Sequence, residues 1–196
     1  MPGPVTPFAA YEPDPSERPG PVDAVLEQAG VEDIGRLAAV QAGVRGGPAE
    51  QWSGRIARAL GGEHGEHRVV VLARVGAEVA AYANAAYLAG HPEDGAPGGY
   101  YLTGVTVAQR WRRRGLGGLL TRWRMDWVWE REQSVWCFVS SQNRASLDLH
   151  RRLGFEVVRS ARSLQGVSFD SGEGILLNAR RGRSRIPQIG PKSTKG

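Results

Sequence analysis

The sequence predicts a single α/β (α+β) domain, with a central mixed sheet of six to seven strands flanked by about four helices. Three observations carry this. Short apolar runs bounded by glycine and proline alternate with longer segments whose apolar residues recur at helical spacing. One stretch, Leu102 to Leu120 (LTGVTVAQRWRRRGLGGLL), passes from an apolar strand through a basic glycine turn into an amphipathic helix. Finally, 196 residues with 41% hydrophobic content can bury one sizeable core, and one domain is expected at that length.

Taken in order, residues 1–20 hold six of the twelve prolines, a composition that does not pack, and are expected to form a flexible leader. Residues 22–29 predict a first strand. Val31 to Val44 spaces Ile34, Leu37, Ala38 and Val40 in a mostly helical way, and a second helix is expected over Pro48 to Leu60, with Pro48 suited to its first turn. His67 to Val75 and Glu78 to Leu88 are strands joined as a hairpin at Val75-Gly76-Ala77. After a Gly/Pro loop at 90–99, Tyr100 to Val107 is apolar enough for a central strand, in which Gly104 predicts a bulge. The helix opened by Gly115 runs to about Arg131, and Val135 to Ser140 is a strand expected to lie parallel to the previous one. Asn143 starts a further helix with Gly154 at its C′ position, and Phe155 to Ala161 and Gly174 to Ala179 are the last strands. The domain is therefore expected over 21–180, followed by a basic flexible tail at 181–196.

Charge and cysteine usage exclude several classes. The six positive residues from Arg180 onwards, unopposed by any acid, exceed the whole formal charge of +5 and leave residues 1–179 near −1, so a globally basic nucleic-acid-binding surface is not expected. A single cysteine, Cys137, excludes an internal disulfide framework and suits a reducing cytoplasm. No basic-then-apolar leader and no run near 18 apolar residues is present, so neither secretion nor membrane spanning is expected.

Within Leu102–Leu120, Gly115, Gly117 and Gly118 open a helix behind Arg112, Arg113 and Arg114. Glycines there let backbone N–H groups approach an anion, and the helix N-terminus and the arginines favour negative charge. A Lys-Ser/Thr pair after the glycines and the first glycine of GxGxxG are both missing, which excludes a triphosphate P-loop and a dinucleotide fingerprint. What matches is Arg-x-x-Gly-x-Gly at Arg112, Gly115 and Gly117, after a strand ending Val105-Thr106-Val107. A second stretch, residues 143–155 (NRASLDLHRRLGF), fits Asn-x-x-Ala-x-x-Leu-Tyr-x-x-x-Gly-Phe at Asn143, Leu149, Gly154 and Phe155, with Ser146 for the alanine and His150 for the tyrosine. Together, in this order and separation, these motifs resemble the GNAT superfamily of acetyl-CoA-dependent N-acetyltransferases over about residues 21–180.

The resemblance implies a GNAT-like domain that moves an acetyl group from acetyl-CoA to a primary amine of a small molecule or peptide by direct attack in a ternary complex. It implies that Arg112, Arg113, Arg114, Gly115, Leu116, Gly117 and Gly118 hold the CoA pyrophosphate. Val105, Thr106 and Val107 would pair with the pantetheine arm and supply an oxyanion N–H, with Asn143 and Ser146 as further cofactor contacts. No metal is expected; a homodimer is compatible. His150, at the tyrosine position, is the candidate proton donor to the departing thiolate, since imidazole can donate near neutrality.

Other roles compete on the residues alone. Asn143 is also a good N-cap. Cys137 could accept acetyl, although a mid-strand cysteine is usually inert. The glutamate many relatives carry four residues before the motif valine is replaced by Thr103, leaving His91, Glu93, Asp94 or a water chain as candidates for the base. Trp52, Tyr82, Tyr87, Tyr100 and Tyr101 are expected to border the acceptor side, as pocket or as core. The altered positions also permit a non-catalytic CoA-binding regulator, and the arginines and tail a nucleic-acid binder.

Overall fold

In the computed structural model, which describes residues 20–61, 65–169 and 172–182, an antiparallel meander builds one half of a sheet. Its strands are β1 (Val25–Gln28), β2 (Arg68–Val75), β3 (Glu78–Leu88) and β4 (Gly99–Val107). The helices α1 (Ile34–Arg45) and α2 (Ala49–Leu60) connect β1 to β2. α3 (Leu116–Trp129) crosses from β4 to the parallel β5 (Ser134–Ser140), and α4 (Arg144–Arg152) leads to β6 (Glu156–Ala161). β9 (Gly174–Arg180) inserts antiparallel between β5 and β6, giving seven strands in the order β1-β2-β3-β4-β5-β9-β6. The expected mixed sheet with four α-helices is thus what forms. The expected leader and tail lie outside the described residues except for Gly20, Arg181 and Gly182.

β2 reads as an almost unbroken apolar run because both of its faces are covered. Val70 and Leu72 pack with Tyr82 against Leu37, Ala38 and Ile56 of α1 and α2, while Val71 and Ala73 pack with Ala81 and Ala83 against Leu116 and Leu120 of α3. A further cluster on the α3 side joins Met125 and Val128 to Cys137, Val139 and Phe155, with Leu147 and Leu153 of α4 against it. The sheet therefore carries α1 and α2 on one face and α3 and α4 on the other.

A small hairpin, β7 (Ser163–Leu164) and β8 (Val167–Ser168), is an addition to the expected elements. Its strands are too short to show alternation, and its turn, with positive φ at both Gln165 and Gly166, has the handedness of a two-residue hairpin loop. Leu164 drops onto Tyr101 and Leu176. Pro48 is the N-cap of α2 rather than its first helical residue.

Candidate active site

The register of β4 sets the centre of the site. Asn84 pairs with Gly104 and Ala85 with Leu102, so Thr103 is the extra residue of a bulge. Gly104 has φ 157°, open to glycine and costly for other residues. On its other edge β4 meets β5 at one register, Tyr101 with Trp136, whereas β5 pairs with β9 from Ser134 to Ser140. From Leu102 onwards the β5-facing edge of β4 has no strand partner among the described residues, and the two parallel strands part. Both continue into helices, so the N-termini of α3 and α4 stand at the open end of the gap, where a doubly covered sheet places ligands.

One buried side chain holds the bulge in place. Arg124, 1% exposed, lies on the stripe Leu116, Leu120, Arg124 and Val128 of α3. Its Nη1 donates to Asn84 O at 2.8 Å and Gly104 O at 3.0 Å, its Nε to Leu120 O at 3.1 Å, and its Nη2 to Thr121 Oγ1 at 3.2 Å. Thr121 Oγ1 in turn donates to Gly117 O at 2.7 Å. The glycine turn and the bulge are thereby tied through a single guanidinium that has carbonyls and a hydroxyl, and no carboxylate, for partners among the described residues. Burial pushes its pKa down to about 9, and interaction with Cys137 opposes this. Burial in turn pushes the Cys137 thiol up, so it is a core residue and a poor nucleophile.

At the glycine turn, Arg113 (φ 66°) and Gly115 (φ 85°) both take left-handed conformations, and Gly115 is the N-cap of α3. Arg112 Nε donates to Val107 O at 3.4 Å, and the Arg114 guanidinium sits 5.6 Å from the centroid of Trp111. A Cβ on Gly117 or Gly118 would meet the Leu149 methyls at 3.7 and 3.6 Å, an ordinary van der Waals distance, so the packing of α3 on α4 does not by itself require glycine at either position. Of the strand residues, Val105 is 41% exposed, Val107 packs towards α3, and Thr106 Oγ1 donates to Gln41 Oε1 at 2.8 Å.

α4 starts as its residues suggest. Asn143 Oδ1 accepts from Ser146 N at 3.1 Å, an N-cap. Its end is a Schellman motif: Phe155 N donates to His150 O and Gly154 N to Arg151 O, with Gly154 at φ 88°. His150 is buried, edge-on to Phe155 at 5.0 Å, and its Nδ1 lies 2.8 Å from Ser146 O. A carbonyl only accepts, which assigns the neutral-ring hydrogen to Nδ1 and leaves Nε2 an acceptor. Burial lowers the pKa of this imidazole, the Ser146 contact raises it, and Arg124 lowers it further, for a net decrease.

On the opposite face, α1, α2, β2 and β3 enclose a cavity of about 180 Å³ lined by Gln41, Trp52, Arg55, Ile56, Tyr82 and Asn84 among others. Gln41 Oε1 accepts from Tyr82 OH at 2.6 Å as well as from Thr106, fixing α1 to β3 and β4 beside the bulge. Asn84 Oδ1 is buried without a hydrogen-bond partner among the described residues. Of the five aromatics expected here, Trp52 and Tyr82 line the cavity. Tyr87 and Tyr100 instead cluster with His67 and Trp127, and Tyr101 stacks on Trp136 under the small hairpin. The candidate bases are elsewhere too. The Asp94 carboxylate accepts from Ala96 N, Gly166 N and Ser163 Oγ and pairs with His91 at 3.3 Å, locking the 89–98 loop to the hairpin. Burial would raise its pKa, but the N–H groups of Gly166 and Ala96 bring it below the usual value.

The model of the Acetyltransferase (GNAT) family matches residues 34–155. The chain belongs to the GNAT family. No curated protein matches it. Among solved structures it is similar to the ribosomal-protein-S18-alanine N-acetyltransferase from Escherichia coli, at 18% identity and TM-score 0.59, covering 88% of this chain and 100% of that one. A GNAT-family acetyltransferase from Streptococcus pneumoniae aligns at 16% identity and TM-score 0.60, covering 81% and 99%. A Salmonella typhimurium protein solved with its cofactor acetyl-CoA aligns at 17% identity and TM-score 0.58, covering 85% and 99%. These likenesses show that the GNAT fold extends over most of the chain.

For a GNAT domain, the residue that sequence reasoning missed is Arg124. The signal was present: it occupies an inward position four residues from both Leu120 and Val128, where an arginine needs a buried partner. Asn84 gave no such signal, because alternation in β3 specifies a face and not a function.

Proposed function

We propose that this GNAT protein is an acetyl-CoA-dependent N-acetyltransferase acting on a primary amine by direct attack in a ternary complex. The observation that carries the reading is that two compartments flank the bulge: the gap between β4 and β5 with two helix N-termini at its mouth, and the cavity under α1 and α2, which is lined by Asn84, the strand partner of Gly104. The residues present fit the donor. Gly115 at positive φ has open space at its Cβ position, and as the N-cap of α3 it stands beside the helix's first N–H groups, which have no intrahelical acceptor.

In this reading Arg112 to Arg114 and Gly115 to Gly118 take the pyrophosphate, while the free edge of Val105 to Val107 pairs with the pantetheine arm as a peptide would at a sheet edge. Asn143 and Ser146 lie at the second helix start. Bound acetyl-CoA supplies a thioester carbonyl whose carbon the amine attacks. Backbone N–H at the Val107 end stabilises the oxyanion, and Arg124 keeps that strand in its bulged register. His150 donates to the thiolate through its protonated fraction, which burial makes small at neutral pH. The protein acts in the cytoplasm, its thiol Cys137 reduced, over a domain of residues 21–180 that two copies can pair through; its charge outside the tail gives no reason to engage nucleic acid.

A regulator that binds CoA without turnover is the competing reading, favoured by a cavity lining without a carboxylate among the described residues. A panel of amines with acetyl-CoA and detection of released thiol decides between them, and buried Cys137 does not contribute to that signal. Acetyl-CoA should raise the melting temperature in either case; thiol release with an amine supports the enzyme, and none with any amine supports the regulator.

A further inference from the structure

The cavity beneath α1 and α2 has a size and polarity that name its occupant more closely. At about 180 Å³ it is smaller than the roughly 300–1,000 Å³ pockets that hold drug-sized ligands. Among the described residues its lining contains no aspartate or glutamate, and the carboxylate of Asp33 at the start of α1 is engaged by Arg74 at 2.8 Å and Arg36 at 3.4 Å. What the lining does contain is Arg55, exposed at the mouth with its guanidinium 5.3 Å from the centroid of Trp52, and no ion pair to it among the described residues. Arg45 acts electrostatically on Tyr82 from the same side. At the inner end stands the buried, unpartnered Oδ1 of Asn84, on the residue that pairs with Gly104 of the bulge.

Resting on the acetyltransferase reading, we infer that the acceptor is a small amine that also carries an acidic group, an amino acid or a molecule of that size and charge. Arg55 takes the anionic end in a charge-assisted contact, and Asn84 Oδ1 accepts an N–H of the amine, aiming its lone pair at the bulge. A buried acceptor with no partner is costly, and an amine N–H satisfies it. The cations at the mouth have a second consequence. They disfavour the ammonium form of the acceptor, so more of it is the free amine that attacks, which serves where Thr103 offers no base. Attack forms the N–C bond, breaks the C–S bond, sends the thioester electrons to sulfur, and releases the amine proton to water.

The test is steady-state kinetics on three acceptor sets, amino acids, polyamines and short neutral-capped peptides bearing one lysine, with wild type, Arg55→Glu and Asn84→Ala. Arg55→Glu gives up the contact with the Trp52 ring but no ion pair among the described residues, Asn84→Ala removes an Oδ1 without a hydrogen-bond partner among them, and melting curves check that the variants fold. Wild type should prefer amino acids. Arg55→Glu should raise their KM tenfold or more, as loss of a charge-assisted contact does, with kcat within about twofold. The same change should narrow or reverse the preference over polyamines. Asn84→Ala should lower kcat by about tenfold. Wild-type preference for polyamines or peptides, or an unchanged KM in Arg55→Glu, overturns the acidic acceptor and leaves the transferase intact. No turnover of any amine, with acetyl-CoA still raising the melting temperature, overturns both.

Discussion

The two faces of the sheet meet at the same bulge but are built differently. On the α3 and α4 side the site consists of backbone: helix N-termini, a turn with two left-handed residues, and a strand edge without a partner. On the α1 and α2 side it consists of side chains, Gln41, Arg55, Tyr82 and Asn84, brought together from three elements. A backbone site restricts the sequence wherever its geometry demands glycine, a cap or a small residue, so it leaves a motif. A side-chain pocket restricts nothing outside itself, so it leaves none, and the acceptor can differ while the cofactor turn stays the same.

The sharpest way to break this comparison is to remove the charge that accompanies the backbone cradle. The double variant Arg112→Glu, Arg114→Glu should abolish the stabilisation by acetyl-CoA, which for wild type at a hundred times Kd is about 2.7 kcal/mol and at this chain length on the order of 5–10 °C. Arg112 makes one long contact to Val107 O and Arg114 lies against Trp111, so the unliganded fold should survive. Thermal melts with and without acetyl-CoA give the answer, and a retained shift would mean that the turn is not the pyrophosphate site.

Next comes Arg124, which joins the two sides. Replacing it by Met leaves Asn84 O, Gly104 O and Thr121 Oγ1 without their donor while removing the desolvation cost of a buried cation. These oppose one another, so stability should fall by only about 1–3 kcal/mol, the cost of unsatisfied buried acceptors less the relief of the charge. Turnover should fall further, by roughly a hundredfold, since a small displacement of a positioned strand has that effect. Arg124→Lys should recover part of kcat with KM for acetyl-CoA nearly unchanged. Equal kcat in Arg124→Met and wild type would reduce the guanidinium to packing.

His150 ranks third. A thiol of pKa near 8.5 leaves readily, so an acid at this position should contribute tenfold or less, below the usual range for general acid catalysis. Because burial holds the folded-state pKa of His150 below the ordinary value of about 6.5, its protonated fraction is already small at neutral pH, and the ratio of wild type to His150→Phe should be near one above about pH 6.5 and rise as pH falls below it. A ratio independent of pH assigns the ring to packing against Phe155. The same shift makes a stability statement. Above the unfolded pKa of about 6.5 both states are neutral and the ring costs nothing; below it the unfolded chain binds a proton that the folded one resists, so stability drops as pH falls. His150→Phe should lose that acid sensitivity, measured by denaturant unfolding at pH 7 and pH 5.5.

Much of the fold was legible because its elements are locally marked. Apolar runs and a hairpin glycine set β2 and β3, and Asn143 and Gly154 bracket α4. The bulge was legible at Gly104, but its identity as an insertion of Thr103, opposite Asn84, depends on the register of a partner strand, and register is a property of two segments at once. The aromatic residues misled for a related reason. Tyr100 and Tyr101 are adjacent and necessarily face opposite sides of the sheet, so both could not border one pocket. The loop acids were open to misreading because nothing in His91 to Asp94 shows that a two-residue hairpin seventy residues later will take up the carboxylate.

The smallest effect separates two jobs of one residue on the legible side. Asn143 caps α4 through its Oδ1 and Ser146 N, and in the proposed function it also contacts the cofactor. Asn143→Ala removes both, while Asn143→Asp keeps an acceptor at the same place and adds a negative charge that the helix N-terminus favours. Ala should therefore lower stability by about 1 kcal/mol, or roughly 2–4 °C in melting temperature, and Asp should restore it. Acetyl-CoA affinity, measured by calorimetry well below the melting temperature, should fall in both, and more in Asp, because a carboxylate beside bound phosphates is repelled. If affinity is unchanged in both variants while stability follows the cap, Asn143 is explained by the helix it starts, and the second motif marks a fold requirement where the first marks a ligand.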